Sequence, residues 1–565
     1  MKKLISLIAG IVLSVSLFGA NFSPIFAQAQ DYKQGIVQTT QFGKIQGTKN
    51  QKSLVWEGVP YAKAPIGDLR WKALADTDAW TGIKITNKEV IATQLSKTGA
   101  IGGDDSLNLT IYRPDTKEVN LPILVYIHGG NNQTGKSTEF DSTILSVKLN
   151  AVVITINHRL DILGFNPLPA LKTGNALEDS GNYALLDINK ALDWIIANAK
   201  VFGGNSDNIT ISGFSAGGRD ILAILASPIF KGKFKQAISF SGGITLSDPQ
   251  ISREIYAQKL SKFVLEDKIK TNEKDAVKWL LGNSKEVRDY LYSLSSERLV
   301  LTFGNGNIRM AGFPHLFADG VVLPKEGSKT TKFNSVPLIL LDSGSEFSIF
   351  AVNDPYFAKN NKEVLLKDEK IKQELAWTIK YGSLLYKYAN VEDVVKTIYG
   401  KYKSDIYSVK IDWGTDEGIV GQEFAQLWGA HHGIFLPLLT EKPILTSALF
   451  PKSFTSKGVK EAGAALQQYI KNFIWDGNPN GQNLVQWKPW GKTPNQLIIN
   501  ADAGKANIYE SSQIIDQAEV IAQIANDKSI DEQSKKIIIS QVLNGRWFSK
   551  DLDKKFKNAG VWVTK

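Results

Sequence analysis

The sequence predicts an α/β protein built on a central, mostly parallel sheet flanked by helices. Short apolar runs alternate with longer helical patterns along the chain, which is typical of repeated β-α-β units. Glycine-rich turns follow two of these runs directly. Of the 565 residues, 43% are hydrophobic and 10% aromatic, so the chain has ample material for a large buried core.

The apolar runs define the predicted strands. Five runs are interpreted as strands of the sheet: Leu121–Ile127, Ala151–Ile156, Asn208–Ser212, Gln236–Phe240 and Val336–Leu341. Between the second and the third, Tyr183–Asn198 carries apolar residues at helical spacing and is predicted to be a helix.

Two stretches depart from this alternation, at about 250–310 and 355–415. Both are rich in Lys, Glu and Tyr and mostly helical in pattern. They are interpreted as insertions in a single domain, 30–565, and either cover a catalytic cleft or form a decorative helical layer. The Lys-rich end, 535–565, has the pattern of a helix followed by a short strand, and no motif in it indicates a function.

The first residues have the pattern of an export signal. A positive start, Met1–Lys3, precedes an apolar run and then the A-x-A sequence Ala27-Gln28-Ala29. The run is short for a membrane span of about 20 residues, and no later segment is long and apolar enough to cross a bilayer. We therefore expect a signal peptide at 1–29, a secreted, periplasmic or cell-envelope protein, and no membrane span after cleavage.

Composition excludes several function classes. The chain has no cysteine, which rules out disulfides, thiolate catalysis and cysteine metal sites. Export without cysteine suggests a bacterial envelope or extracellular protein. The formal charge of +10 is spread over 66 basic and 56 acidic side chains without a basic block, so no nucleic-acid partner is expected.

The first candidate for chemistry is the run G-F-S-A-G-G at 213–218. It follows a predicted strand and precedes the helical run Arg219–Ala226. A sharp strand–turn–helix bend would push the hydroxyl of Ser215 out over the sheet edge, and the backbone N–H of Ala216 would be one donor to an oxyanion. A lone G-x-S-x-G is a weak signal, because a glycine-rich chain of this length can contain one by chance.

A second glycine-rich turn, here called the glycine loop (residues 128–132), follows the strand that ends at Ile127. Its sequence H-G-G-N-N resembles the H-G-G-G turn that supplies backbone N–H groups to an oxyanion hole. Asn131 replaces the third glycine, and Asn tolerates left-handed backbone better than most residues. The alternative is an ordinary Gly-Gly turn.

Longer blocks then indicate a family. FGKIQG, WEGVPYAKAPIGDLRW, GDDSLNLTIYRP, NHRLDILGF, SGNYALLDINKALDWI, VFGGNSDNITISGFSAGG and FIWDGNPN occur in this order along the chain. Together they resemble the type-B carboxylesterase, or cholinesterase-like, family over nearly the whole mature chain. The resemblance implies the α/β-hydrolase fold.

The resemblance also implies a Ser–Glu–His triad in that chain order. The family's acid aligns with Glu346 in the turn L-D-S-G-S-E-F, and its histidine aligns with His432 in G-A-H-H-G. Its oxyanion donors fall on the backbone N–H groups of Gly130, Asn131 and Ala216. No cofactor and no metal are implied.

Read without the family, the residues leave two choices open. Of the five histidines, only His431 and His432 lie in a glycine-flanked loop downstream of the serine and the acid. Asp342 is a second candidate acid at the end of its strand, or else a turn residue that hydrogen-bonds its own backbone. The family pattern favours His432 and Glu346.

Four positions depart from the family pattern. Phe214 and Phe435 stand where carboxylates are common, which predicts a drier pocket less suited to cationic substrates. Arg219 and Asp220 stand where small or hydroxyl residues are usual, and form either a local ion-pair network or a helix-surface pair. The prediction is a serine carboxylesterase that acts on a small-molecule ester through an acyl-enzyme; the alternative is a catalytically inactive adhesion or binding protein of the same fold.

Overall fold

The structure, a computed structural model, describes residues 29–444, 446–558 and 560–562. The predicted signal peptide therefore lies outside the described residues, except for Ala29. In chain order the strands are β1 Val37–Thr40, β2 Gly43–Gln46, β3 Thr48–Asn50, β4 Ser53–Pro60, β5 Ile83–Ile85, β6 Gln94–Ser96, β7 Gly99–Ile101, β8 Asn108–Pro114, β9 Leu121–Ile127, β10 Val152–Ile156, β11 Gly204–Phe214, β12 Gln236–Phe240, β13 Leu338–Ser343, β14 Ile406–Ile411, β15 Gln496–Ala501 and β16 Ala506–Ser511.

Helices connect and flank these strands. The α-helices are α1 Thr143–Leu149, α2 Asp161–Gly164, α3 Tyr183–Asn198, α4 Ala216–Ala226, α5 Pro249–Glu266, α6 Glu273–Leu280, α7 Lys285–Ser293, α8 Ser296–Leu299, α9 Ser348–Val352, α10 Pro355–Ala358, α11 Lys362–Lys367, α12 Glu369–Asn390, α13 Glu392–Ile398, α14 Glu417–Val420, α15 Phe435–Thr440, α16 Thr446–Leu449, α17 Lys457–Asp476, α18 Gln517–Asn526, α19 Glu532–Ile537 and α20 Lys550–Lys555.

The central element is an eleven-stranded sheet in the order β16-β15-β14-β13-β12-β11-β9-β10-β8-β4-β3. All pairings from β10 across to β15 are parallel, and the antiparallel pairs lie at the two ends. The five predicted strands correspond to β9–β13, with ends that differ by up to four residues, and the predicted helix is α3. The predicted α/β architecture with a mostly parallel sheet is confirmed.

The sheet is buried on both faces, which explains why its strands are nearly continuous apolar runs. Along β9, Ile123, Val125 and Ile127 pack into one core cluster, while Leu124 and Tyr126 pack into the other. This alternation follows from the two-residue period of a strand.

The two helical stretches differ in where they end. The region 250–310 holds α5–α8. In the region 355–415 the helices α10–α13 end at Ile398, and β14 then joins the main sheet between β13 and β15. Helix α12 packs with α18 and the C-terminal residues in a third apolar cluster, next to the strand ends that carry the candidate site.

The end of the chain differs from its prediction. Helices α19 and α20 lie there with a π-helical turn between them, and no strand occurs in 535–558 or 560–562. Among the described residues, no helix combines the length and the apolarity needed to cross a bilayer.

Candidate active site

Ser215 lies at the bend between β11 and α4, where the sequence places it. Its backbone is left-handed, with φ 57° and ψ −113°, a conformation that costs free energy for a non-glycine residue and is often found at functional positions. Its N–H donates to the carbonyl of Phe240 on the neighbouring strand at 2.8 Å, which holds the bend against the sheet. The serine is 9% exposed.

The two flanking glycines are required by close backbone approach. A Cβ on Gly213 would lie 2.3 Å from the carbonyl oxygen of Gly217, and a Cβ on Gly217 would lie 2.2 Å from that of Ile127. No side chain can be accommodated at either distance, since the obstacle is backbone. The G-x-S-x-G spacing therefore reflects how tightly helix α4 is packed on β9 and β11.

The glycine loop lies beside this bend, at the end of β9. Gly130, Asn131 and Asn132 all have positive φ, at 97°, 58° and 55°. A Cβ on Gly130 would lie 2.1 Å from the carbonyl oxygen of Thr134, whose N–H bonds back to Gly130 at 3.0 Å. The loop is thus a tight turn in which Asn occupies left-handed positions, as its sequence predicts.

Three backbone N–H groups are left without acceptors around this turn. Those of Gly130 and Asn131 donate no hydrogen bond within the described part of the chain. That of Ala216 belongs to the first residue of α4, where no intrahelical acceptor exists. These are the donors that the family resemblance assigns to an oxyanion.

Glu346 and His432 meet across the carboxyl ends of the neighbouring strands. The His432 Nδ1 lies 2.5 Å from the Glu346 Oε2, and both side chains are buried. Their loops are paired through the Ser345 N–H, which donates to the carbonyl of Ala430 at 2.8 Å. The other carboxylate oxygen accepts the Ser241 hydroxyl at 2.5 Å and the Ser343 N–H at 2.8 Å.

This geometry sets the tautomer of His432. Glu346 accepts the proton on Nδ1, so the neutral ring carries its free lone pair on Nε2. That Nε2 is buried and has no hydrogen-bond partner among the described residues. Among the described residues Ser215 and His432 share no hydrogen bond; contacts between a nucleophile and its base commonly tighten only when substrate binds.

The two rival residues are placed elsewhere. Asp342 forms no hydrogen bond with His432 among the described residues, and it accepts the Gln496 amide at 3.4 Å. Burial raises the pKa of Asp342 well above its usual range. His431 turns its Nδ1 to the carbonyl of His432 at 2.8 Å and its Nε2 to the Thr446 hydroxyl, and burial lowers its pKa to about 4.

Aromatic rings enclose the imidazole of His432. Phe214 lies 4.6 Å from it, Phe350 5.2 Å and Tyr386 5.3 Å, measured between ring centroids. Phe435 packs on Phe214 at 5.3 Å, so the two positions where the family often has carboxylates form one apolar contact. No carboxylate other than Glu346 forms an ion pair with His432 in the described residues.

Tyr386, near the C-terminal end of α12, stacks on the ring of His432. Burial raises the pKa of its hydroxyl and the charge of Glu346 raises it further, while hydrogen bonding to the side chains of Trp547 and Ser215 lowers it. The ring packs on Trp547 at 5.1 Å and stacks on Phe548 at 4.5 Å. Helix α12 and the chain end therefore close one side of the site.

The carboxylesterase family profile matches residues 33–416, which is more than half of the chain. The chain belongs to the carboxylesterase family. The liver carboxylesterase 1 of Oryctolagus cuniculus is 26% identical over 535 residues, covering 84% of this chain and 90% of the relative. The para-nitrobenzyl esterase of Bacillus subtilis (strain 168) is 30% identical over 338 residues, covering 56% of this chain and 64% of that esterase.

Solved structures support the fold of this carboxylesterase-family chain. A PNB esterase structure superposes with a TM-score of 0.65 at 24% identity, covering 85% of this chain and 98% of the other. A carboxylesterase of Geobacillus stearothermophilus gives the same TM-score and identity, covering 84% and 98%. The predicted α/β-hydrolase fold, the family and the class of carboxylic ester hydrolase are confirmed.

Arg219 and Asp220 form neither of the two arrangements expected from the sequence, a local ion-pair network or a helix-surface pair. The two side chains are buried, at 3% and 1% exposure, so they are not a helix-surface pair. Nor do they form an ion pair with each other or with another described residue. Asp220 accepts the Asn132 amide at 2.8 Å, and burial raises its pKa to about 7. Asp220 therefore stabilises the glycine loop through its hydrogen bond with Asn132.

Sequence reasoning missed three residues of the site: Ser241, Tyr386 and Trp547. Ser241 could have been suggested by its position, because S-G-G at 241–243 directly follows the strand next to the nucleophile strand. Tyr386 lies in a regular helix, and Trp547 lies in the terminal region where no motif indicated a function. No local pattern marks either of them.

The donor sets around the site do not suggest a metal. In 29–444, 446–558 and 560–562, no group of three or more His, Asp and Glu side chains is placed to hold an ion.

Proposed function

We propose that this protein is an exported serine carboxylesterase in which Ser215, His432 and Glu346 form the catalytic triad. The observation that carries the proposal is the buried hydrogen bond of 2.5 Å between Glu346 and His432, at the strand edge where Ser215 sits on a strained bend. An acid that holds a histidine in the Nδ1–H tautomer, at the same sheet edge as a serine on a strand–turn–helix bend, is the arrangement that acyl transfer requires.

In this mechanism the Ser215 hydroxyl attacks the ester carbonyl while His432 Nε2 takes its proton. The N–H groups of Gly130, Asn131 and Ala216 stabilise the oxyanion that forms on the carbonyl oxygen. His432 then returns the proton to the departing alcohol, which leaves the acyl group on the serine. Water, deprotonated by the same base, releases the acid and restores Ser215.

The export part of the proposal rests on the pattern of residues 1–29 alone. Expression of the full chain in a bacterial host, with mass spectrometry of the product outside the cytoplasm, tests it. A mature N-terminus near Gln30 is the expected result. A full-length protein retained with Met1 at its start would refute export.

The central experiment measures hydrolysis of p-nitrophenyl acetate, butyrate and octanoate by the mature protein, with Ser215→Ala as the blank. We expect turnover that falls to background in the variant, and covalent labelling of Ser215 by a fluorophosphonate. A folded protein that shows neither would support the alternative, a non-catalytic binding protein on the same fold.

The contact between Phe214 and Phe435 predicts weak use of cationic esters. Butyrylcholine and its uncharged carbon isostere, 3,3-dimethylbutyl butyrate, form a matched pair. We expect kcat/KM to favour the uncharged ester by about 10-fold, since Glu346 is already paired with His432, and Phe214 and Phe435 stand where a second carboxylate could offset desolvation of the cation. A preference for butyrylcholine would contradict the dry-pocket hypothesis.

A variant tests the cause of this preference. Phe214→Glu should shift the ratio of the two kcat/KM values toward butyrylcholine, while Phe214→Leu, which removes only the ring, should leave the ratio near that of the wild type. Equal shifts in both variants would mean that shape rather than charge sets the preference.

A further inference from the structure

Six lysines line one surface groove with a volume of about 810 Å³, here called the basic groove. They come from three separate segments of the chain: Lys231, Lys325, Lys329, Lys332, Lys401 and Lys403. Five of them are exposed and Lys401 is half-buried. Of the described residues that line the groove, Glu326 alone is acidic. The sequence shows no basic block because these segments meet only in the folded chain.

The lysines of the basic groove have no carboxylate partner. Within the described ranges, no ion pair joins any of the six to an Asp or Glu, and Glu326 forms none either. Lys401 donates to the carbonyl of Thr397 at 3.2 Å, and Lys403 donates to that of Gly400 at 2.7 Å. Because an ammonium group has three donors, both keep N–H groups free. A groove lined by one sign of charge concentrates counter-ions of the other sign.

Hydrogen bonds between its segments hold the floor of the basic groove together. The Asn334 amide donates to the carbonyl of Ser227 at 2.8 Å, and the Ser227 hydroxyl donates to the carbonyl of Val322 at 2.5 Å. The Tyr402 hydroxyl donates to the carbonyl of Val336 at 2.6 Å. The groove is therefore formed before a partner binds, and binding needs to order only the lysine side chains.

The basic groove lies at the edge of the main sheet opposite the candidate active site. Residues 333–335 precede β13 and residues 401–403 precede β14, so both segments lie at the amino ends of parallel strands. Ser215 and Glu346 follow the carboxyl ends of β11 and β13. Helix α4 begins beside Ser215 and ends at Ala226, which lines the groove, and its 11 residues span about 16 Å. A partner in the groove therefore leaves the serine accessible.

The lining of the basic groove does not suit bases or a bilayer. Phe333 is the one aromatic residue among the described residues that line it, and its half-buried ring packs on Tyr402 at 6.1 Å. The groove therefore lacks the exposed rings on which unpaired bases stack. Val321 is the one large apolar side chain in this lining that is exposed, at 37%, so there is little to insert into lipid.

We propose that the basic groove binds an anionic polysaccharide, a chain of sugars with repeated carboxylate, sulfate or phosphate groups. All its cations are lysines, which act as compact point charges and do not require the fixed geometry of an arginine fork. Repeated anions on one chain engage several ammonium groups at once, so weak single contacts combine. The hydroxyl groups of Thr331 and Ser335 are placed to bond sugar hydroxyls. Such binding would hold the protein on a polymer-bearing surface while Ser215 remains free.

Dextran sulfate and neutral dextran of equal chain length form a matched pair of probes, because they differ only in the sulfate groups. Calorimetric titration of the mature protein at low salt measures both affinities. We expect dextran sulfate to bind, with an affinity that falls as salt is added, and dextran not to bind. A groove variant should bind about 10- to 100-fold more weakly, since each exposed charge pair contributes a factor of about 2 to 3. It combines Lys325→Gln, Lys329→Gln, Lys332→Gln and Lys403→Gln.

A charge-matched variant separates the basic groove from the overall charge. It replaces four other exposed lysines that have no ion pair among the described residues and do not line the groove: Lys52→Gln, Lys88→Gln, Lys97→Gln and Lys117→Gln. This variant should bind dextran sulfate within about 3-fold of the wild type. Both variants should unfold close to the wild-type temperature, because surface substitutions change stability little.

Three outcomes would overturn the proposal. Equal affinity for dextran sulfate and dextran would remove the role of charge. Equal weakening in the two variants would assign binding to the net charge of the protein. Tighter binding of a single-stranded oligonucleotide, or of phosphatidylcholine vesicles containing phosphatidylglycerol, through the same four lysines would assign the groove to nucleic acid or a membrane. Failure of the proposed esterase function is distinguishable, since it abolishes turnover and leaves these affinities unchanged.

A footprint on the wild-type protein covers the case in which the groove variant does not fold. Lysines are acetylated with an N-hydroxysuccinimide ester of acetate, with and without dextran sulfate, and each site is quantified by mass spectrometry. Lys325, Lys329 and Lys332 should react several-fold more slowly with the polymer present, while Lys52 and Lys88 should react at an unchanged rate. Equal protection of all five lysines would refute a site in the basic groove.

Discussion

Replacing His432 by alanine is expected to lower kcat by about 10⁶-fold, the loss found when the base of a serine triad is removed. The reason is that Nε2 of His432 is a buried acceptor with a free lone pair, because Glu346 holds the ring proton on Nδ1. Without it the Ser215 hydroxyl keeps its proton and remains a poor nucleophile. Steady-state hydrolysis of p-nitrophenyl butyrate measures the effect.

His431 provides the matched control, since it is the same residue type one position earlier in the same buried loop. Its nitrogens are engaged by the carbonyl of His432 and the hydroxyl of Thr446. His431→Asn should lower thermal stability but change kcat by less than about 10-fold. If His431→Asn abolished activity and His432→Ala kept it, the roles of the two histidines would be exchanged.

Replacing Glu346 by glutamine is expected to lower kcat by about 10⁴-fold. The Ser241 hydroxyl and the Ser343 N–H both donate to Oε1 of Glu346, so the amide oxygen of glutamine must stay at that position. Its NH₂ group then faces Nδ1 of His432. Because this group can only donate, Nδ1 must accept a hydrogen bond and cannot carry the ring proton. The ring proton moves to Nε2, and the histidine can no longer take a proton from Ser215.

Two controls separate this tautomer effect from a general loss of structure. Asp342→Asn alters the rival buried carboxyl, which forms no hydrogen bond with His432 among the described residues, and should leave kcat within about 10-fold of the wild type. Glu346→Gln should keep near-wild-type KM and thermal stability, because shape and most hydrogen bonds are retained. A large loss in Asp342→Asn together with an active Glu346→Gln would assign the acid to Asp342.

The parts of the site formed by neighbouring residues were predictable from the sequence. The bend at Ser215 and the glycine loop each follow a strand, and their glycines are required by backbone contacts within a few ångströms. The strands are recognisable because both faces of the sheet are buried, which makes them continuous apolar runs. The family resemblance then aligned Glu346 and His432.

Contacts between distant residues could not be read from any local pattern. Tyr386 lies in a regular helix and Trp547 near the chain end, yet Tyr386 stacks on His432 and Trp547 packs on Tyr386. The C-terminal segment (residues 544–549) reaches the site because its backbone bonds to 308–310, through the Met310 N–H and the Trp547 N–H. A sequence records residue types and spacing, while such pairings depend on how the helices pack.

The sequence by itself determined the fold class, the family, the strand ends that carry the candidate triad and the absence of cysteine chemistry. Only the tertiary structure decided that Arg219 is a buried cation with neutral partners and that Phe214 and Phe435 share one contact. The physical reason is that burial, and with it the cost of a charge, depends on what the whole chain packs around a side chain.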